Sequence, residues 1–165
     1  VGIIAAATQQ HLDAPVDLVP INPVIEYDGL PSGTLIPTVA VENVVADKLC
    51  ACYEYHQITG ESTRFHDLID LVRIVTTQHL DADRLQTLLT REARHRSSVT
   101  LPPQVVAPGP RWGESYPRQA AAAADFDPRY HDLDVALATV AECLNDFLAG
   151  RTVRGTWDPH DRTWQ

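Results

Sequence analysis

Lys48 is the one lysine among the thirteen Lys and Arg residues of this 165-residue chain. It lies in Glu42-Asn43-Val44-Val45-Ala46-Asp47-Lys48-Leu49, ahead of Arg64-Phe65-His66-Asp67-Leu68-Ile69-Asp70-Leu71. An ammonium is a compact charge whose three protons can grip a polyphosphate, whereas a chain that needs only surface charge can use arginine, as this one does elsewhere. Asp67 and Asp70 stand three residues apart, a spacing that puts both carboxylates on one face of a helix. One cation and two anions could therefore meet across a helix pair. Plainer readings compete with this one. Lys48 can be a snorkelling lysine with a wet head beside an apolar face. Acidic groups in the first turn of a helix are favoured by its dipole, which suits Asp67 better than Asp70. Asp17, between Val16 and Leu18, is either a ligand or the outward-facing position of an alternating strand.

The elements that must position these residues follow from the pattern of apolar positions. Residues 2–7 form a short apolar stretch, residues 14–21 alternate as a strand does, 27–33 form a turn cluster, and 34–40 can form another short strand. From Val41 the period becomes helical, with Val41, Val44, Val45, Leu49, Cys52 and Tyr53 as the stripe and Lys48 within it or on its edge. A second helix is expected to start at Ser62-Thr63, where a hydroxyl can cap it, and to run through Val75 on Phe65, Leu68, Ile69, Val72 and Val75. Asp81 caps a third helix carrying Leu85, Leu88, Leu89 and Ala93. The proline-rich stretch 101–110 cannot be helical, and a boundary between subdomains falls there. Arg118 to Phe126 is alanine-rich and helical by propensity, and a last helix from His131 to Ala149 stops at Gly150. Trp157 and Trp164 in a polar tail are expected to pack back on the body.

Composition excludes several classes of function. A formal charge of −9 argues against nucleic-acid binding over the whole surface, so any such contact must be local. Arg84, Arg91, Arg94, His95 and Arg96 on one helix and Arg151, Arg154 and Arg162 near the end are the candidates, and a solvated face with a charged tail is the reading that composition favours over nucleic-acid contact. No apolar run approaches the roughly 20 residues of a membrane span and no leader pattern opens the chain, so a soluble, cytoplasmic protein is expected. Three cysteines are an odd number, and Cys50 and Cys52 point to different helix faces, so neither a disulfide nor a metal site is expected from them. His56, His66 and His79 match no common zinc spacing, which disfavours a metal hydrolase. The sequence contains no methionine, not even at position 1, for which processing, missing upstream residues or a start codon read literally as valine are equally open explanations.

The block from Val41 to Leu49 followed by Arg64 to Leu71 resembles the signature of the nucleotidyl transferase AbiEii/AbiGii toxin family: Pro or Val, Glu, two variable residues, Ala-Glu-Lys-Leu, then Lys/Arg-Asp-x-x-Asp-Leu. The Gly155-Thr156-Trp157-Asp158-Pro159 to Trp164 end is similar to that of many members, and Val16-Asp17-Leu18 resembles the strand carrying the family's third carboxylate. The likeness covers about positions 14 to 165. It implies an α+β fold, a partial nucleotidyltransferase-type α/β core followed by a mostly helical C-terminal lobe. In those terms residues 1–40 are the remnant of the core, 41–100 the helices bearing Lys48 and Asp67/Asp70, 101–117 the linker and 118–165 the lobe and Trp tail. By resemblance the chemistry moves a nucleotide from a nucleoside triphosphate to an acceptor such as the tRNA 3′ end, with an antitoxin as partner. Such transfer needs phosphate charge stabilised by Mg²⁺ on carboxylates and a lysine on the triphosphate. Lys48 would hold phosphates with Arg64, Asp17 would help bind Mg²⁺, and Asp70 would orient the lysine or the acceptor. Asp67 is implied less firmly, because His66 replaces the commoner basic residue before it. The family's Gly-Ser followed by Asp-x-Asp on the first core strand is absent, which leaves Mg²⁺ with Asp17 alone, too few ligands to bind well. The chain is therefore expected to be inactive by itself, a longer product being the enzyme. The alternative is a non-catalytic interaction module that binds an antitoxin or RNA.

Overall fold

The computed structural model describes residues 16–20, 35–55 and 60–165; the apolar stretch at 2–7, the turn cluster at 27–33 and His56 lie outside the described residues. β1 (Val16–Pro20) and β2 (Leu35–Val39) pair antiparallel, with Val16 opposite Val39 and Asp17 opposite Thr38. Val16, Leu18 and Leu35 stay exposed on this ribbon. After Ala40 the chain turns directly into α1 (Val41–Cys52), whose Val45, Leu49 and Cys52 are buried at the spacings of an amphipathic helix.

α2 (Phe65–Thr77) buries Leu68, Ile69, Leu71, Val72 and Val75, and packs on α1 on one side and on the later helices on the other. It begins at Phe65 rather than at Ser62. The Ser62 hydroxyl donates to the Ala51 carbonyl at 2.9 Å and accepts from the Arg64 amide, so it ties the end of α1 to the entry of α2 and makes no N-cap bond. The two helices that carry Lys48 and the aspartates are thereby fixed relative to each other by a buried polar contact.

β3 (Leu80–Asp81) leads into α3 (Ala82–His95), which packs on α1; the Asp81 carboxylate accepts from the Arg84 amide at 2.8 Å, the expected cap. α4 (Trp112–Ala122) starts earlier than Arg118 and contains Pro117. Trp112 and Tyr116 are both fully buried, the Trp112 indole donates to the Ser62 carbonyl at 2.8 Å, and its ring meets Phe65 edge-on at 4.8 Å. Tertiary burial thus imposes a helix where Gly113 and Pro117 argue locally against one.

A 3₁₀ turn (Pro128–Tyr130) precedes α5 (Leu133–Leu148), and Gly150 follows with φ +70°, the left-handed conformation that stops a helix. β4 (Thr156–Asp158) pairs with β3 and with β5 (Thr163–Trp164), closing a second small antiparallel sheet. Trp157 is buried and its indole donates to the Val75 carbonyl at 2.7 Å, while Trp164 donates to the Cys143 carbonyl at 3.0 Å. The tail packs back on the body as expected. The described chain is an α+β fold of five α-helices and two small antiparallel sheets, with one buried cluster running from Val45 to Trp157. No described helix is long and apolar enough to cross a membrane.

Candidate functional site

Lys48 projects from α1 onto the face of α2. Its Nζ donates to Asp67 Oδ1 at 2.9 Å and to Asp70 Oδ2 at 2.7 Å, with its side chain 19% exposed. The second oxygen of each aspartate faces an arginine of the same helix region: Arg64 Nε lies 3.2 Å from Asp67 Oδ2, and Arg73 Nη1 lies 3.6 Å from Asp70 Oδ1. Residues 64, 67, 70 and 73 recur every third position, and each such step turns about 60° backward around an α-helix. The two arginines therefore flank the aspartate pair from opposite sides. Asp67 Oδ2 is buried and receives no well-directed hydrogen bond among the described residues, although Arg64 is close.

The charge balance of this row is three cations against two carboxylates, a local positive excess in an acidic chain. Burial is the largest influence on the Lys48 ammonium and opposes its charge, but the hydrogen bonds to Asp70 and Asp67 and their negative charges outweigh it and hold the pKa above 10.5. Lys48 is thus a firmly protonated cation with two of its three N–H donors committed. On the next residue, burial raises the Asp47 pKa against the opposing pull of Arg96. Arg96 serves as a hub for Asp47, Glu54 and Glu92.

Asp17 belongs to a different constellation. Both of its carboxylate oxygens accept from Arg84 Nη1, at 3.0 and 3.2 Å, and the same nitrogen lies 3.4 Å from the buried Glu42. Glu42 in turn accepts from the Asp81 amide at 2.9 Å. Lys48, Asp67, Asp70 and Arg64 are thus brought together, whereas the contacts of Asp17 are with α3. Glu42 was read as part of a motif and is in fact a buried bracket between α1 and α3. Arg73 escaped the sequence reading, although its position three residues beyond Asp70 continues the spacing that singled out the two aspartates.

Mg²⁺ does not fit the described residues: no three His, Cys, Asp or Glu side chains converge on a point that could hold a metal, and Asp17 is engaged by Arg84. Asp81 and Asp83 form an Asp-x-Asp by letter, but Asp81 is the cap of α3 and Asp83 is exposed in its first turn. Of the histidines considered for a hydrolase, His66 is exposed on α2 and His79 Nδ1 lies 3.1 Å from the Trp157 carbonyl. The basic candidates for RNA contact are largely engaged internally, Arg84 by Asp17 and Glu42, Arg96 by three acids, Arg151 by Asp146 and Arg162 by Glu142.

Among curated proteins and among solved structures, none matches the chain significantly. A family model does match, over residues 6–150, which include β1, β2, every helix and the whole Lys48 row. Its description is a nucleotidyl transferase AbiEii toxin of a type IV toxin–antitoxin system. With Lys48 and the two aspartates meeting where the signature residues predict, and the match covering most of the sequence, the chain belongs to the nucleotidyl transferase AbiEii toxin family.

Proposed function

We propose that the Lys48 row is the triphosphate-holding part of a nucleotidyl transfer site whose acceptor is an RNA 3′ end such as that of tRNA. The observation that carries this reading is the single ammonium held between two carboxylates with, among the described residues, one N–H donor still to offer. A phosphate oxygen can take that third proton without disturbing the other two, so the group is oriented before substrate arrives. Arg64, half exposed beside Asp67, supplies a second contact to the phosphates, and the positive excess of the row favours the polyanion. Asp70 and Asp67 act here by orienting Lys48.

Members of such a family use a nucleoside triphosphate and a divalent metal, and as toxins they have an antitoxin as partner. The described residues do not by themselves assemble a set of ligands for that metal. We infer that the 165 residues alone bind triphosphate without completing transfer, and that the strand bearing Gly-Ser and Asp-x-Asp must be supplied for activity.

The test is direct because the chain has one lysine. Grown with ¹⁵N-lysine, it gives a single side-chain ammonium signal, which is expected to shift on titration with nucleoside triphosphate. Lys48→Ala is expected to weaken triphosphate binding by about tenfold or more, the loss of one charge-assisted contact. Affinity unchanged by Lys48→Ala refutes the phosphate role. Labelled nucleotide transferred to tRNA by the 165 residues alone refutes the incompleteness. Failure to bind triphosphate together with tight binding of an antitoxin supports the interaction-module reading instead.

A further inference from the structure

The two arginines that flank the aspartates differ in how they are held. Arg64 is the residue just before α2, its side chain is 51% exposed, and it reaches Asp67 across a single turn. Arg73 is fastened at three points. Its Nη1 faces Asp70 Oδ1 at 3.6 Å, its Nη2 donates to the Ala124 carbonyl at 2.6 Å, and its guanidinium carbon stands 5.4 Å from the centre of the Phe126 ring. Phe126 is itself buried and stacks on His131 at 5.9 Å. Between these anchors Asp125 takes φ 55°, the left-handed conformation that Asp and Asn enter more readily than other non-glycine residues and that turns the chain sharply after α4.

We propose that Arg73 is a positioning residue: anchored on the Ala124–Phe126 turn, its charge holds Asp70 Oδ1 at ion-pair distance and so keeps Oδ2 aimed at the Lys48 ammonium. Asp70 has two oxygens and one side-chain torsion pair to share between two cations. A guanidinium that is itself fixed by a carbonyl and a ring leaves the carboxylate one orientation. A lysine at 73 could keep the charge but could not present separate donors to Asp70 and Ala124 in one plane while lying over the ring. The turn after α4 thereby becomes part of the phosphate site, although it contributes no group to the phosphate. Arg64, half exposed just before α2, keeps its proposed direct contact with the phosphates.

The functional consequence rests on the reading of Lys48 as the phosphate-holding cation, whereas the geometry can be read out independently of it. In the ¹⁵N-lysine-labelled chain, the exchange rate of the Lys48 ammonium hydrogens with water is measured for the native protein, Arg73→Lys, Arg73→Gln and Phe126→Leu, the second ammonium signal of Arg73→Lys being assigned with Arg73→Lys/Lys48→Met, alongside affinity for inorganic triphosphate. Both Arg73 variants are expected to speed exchange by about threefold, a typical size for coupled neighbours. A purely electrostatic role gives the opposite sign for Arg73→Gln, because removing a nearby positive charge makes the ammonium less acidic. Phe126→Leu, which keeps every charge, is expected to act in the same direction and more weakly, and it decides the matter if Arg73→Gln fails to fold. Exchange unchanged or slowed in Arg73→Lys and Phe126→Leu overturns the proposal. Faster exchange in a protein that binds no triphosphate leaves the positioning role standing and removes the phosphate reading.

Discussion

Replacing Lys48 by Met removes the cation while keeping most of the packed stem, and so isolates what the two ion pairs contribute. The bonds at 2.9 and 2.7 Å are charge-assisted, and such bonds contribute about 1.5–3 kcal/mol each. The side chains of Lys48, Asp67 and Asp70 are 19%, 14% and 24% exposed, so water can replace part of what is lost and each bond belongs at the low end. Two aspartates left three apart without their cation add a repulsion of a few tenths of a kcal/mol. The sum is about 3 kcal/mol, or about 6–12 °C in Tm for a chain of this size. Urea unfolding at neutral pH measures it. The pH dependence supplies a second constraint. Because the folded pKa of Lys48 lies above 10.5, its contribution is complete below 10.5 and fades as pH climbs through the folded value. The stability gap between native and Lys48→Met should therefore be constant from neutral pH to about 10 and then narrow. A gap under about 0.5 kcal/mol would place Lys48 among ordinary surface ion pairs and refute the argument for an oriented ammonium.

Other outcomes follow from the same contacts. Burial raises the Cys50 thiol from 9.0 and the Tyr53 phenol from 10.0, each to about 12, so the stability that these neutral groups confer is whole below 9.0 and 10.0 and is lost as pH rises towards 12. Cys50→Ala should flatten that alkaline loss in urea titrations across the range, and an unchanged slope would contradict the burial of the thiol. Trp157→Phe strands the Val75 carbonyl inside the core and should cost about 2–3 kcal/mol by urea midpoint; a loss under half that would mean the indole bond is dispensable. Gly155 has φ +85° and an added Cβ would sit 1.8 Å from the Gln165 carbonyl oxygen, so Gly155→Ala should abolish amide-exchange protection at Thr156 and Gln165 while leaving α1 and α2 protected. The Asp17–Arg84 pair is about two-fifths exposed on both sides, so Asp17→Asn should cost under about 1 kcal/mol and leave the Lys48 ammonium signal in place. A shifted ammonium signal in that variant would join the two constellations that the contacts keep apart.

What could be read from the sequence divides along the range of the interactions involved. α1, α2, α3 and α5 announce themselves because their apolar residues recur at helical spacing, and Asp81 and Gly150 mark ends by local chemistry. α4 does not, because Trp112 and Tyr116 form a helix only through partners far along the chain, Ser62 and Tyr130 among them. The start of α2 was misplaced for a related reason: a serine hydroxyl can cap a helix or bond a distant carbonyl, and Ser62 does the second. Lys48, Asp67 and Asp70 were legible because type and spacing both spoke. Asp17 was legible as an acid in a strand, but its partner, Arg84, stands too far along the chain for any local pattern to name it. Arg73 was visible in the three-residue spacing, yet its importance lies in the Ala124–Phe126 turn, which no pattern places beside α2.

The row also explains why a chain that otherwise uses arginine has lysine at position 48. A guanidinium presents a planar fork that matches one carboxylate with two parallel bonds. Placed at 48 it could meet both aspartates only where their oxygens lie near its plane, as the three acids around Arg96 do, and its remaining donors would lie in that same plane. An ammonium distributes three donors in three directions, so it can divide two between carboxylates on successive turns of α2 and keep the third for another acceptor. The flanking positions require the reverse: each needs to hold one oxygen of one carboxylate from the side, and at 73 also a carbonyl and a ring, which suits the fork. The choice of cation at each of the three positions therefore follows from the number and direction of the acceptors it must meet. On the proposed phosphate role, it is the divided ammonium, not the charge alone, that would give the row a direction in which to receive a phosphate.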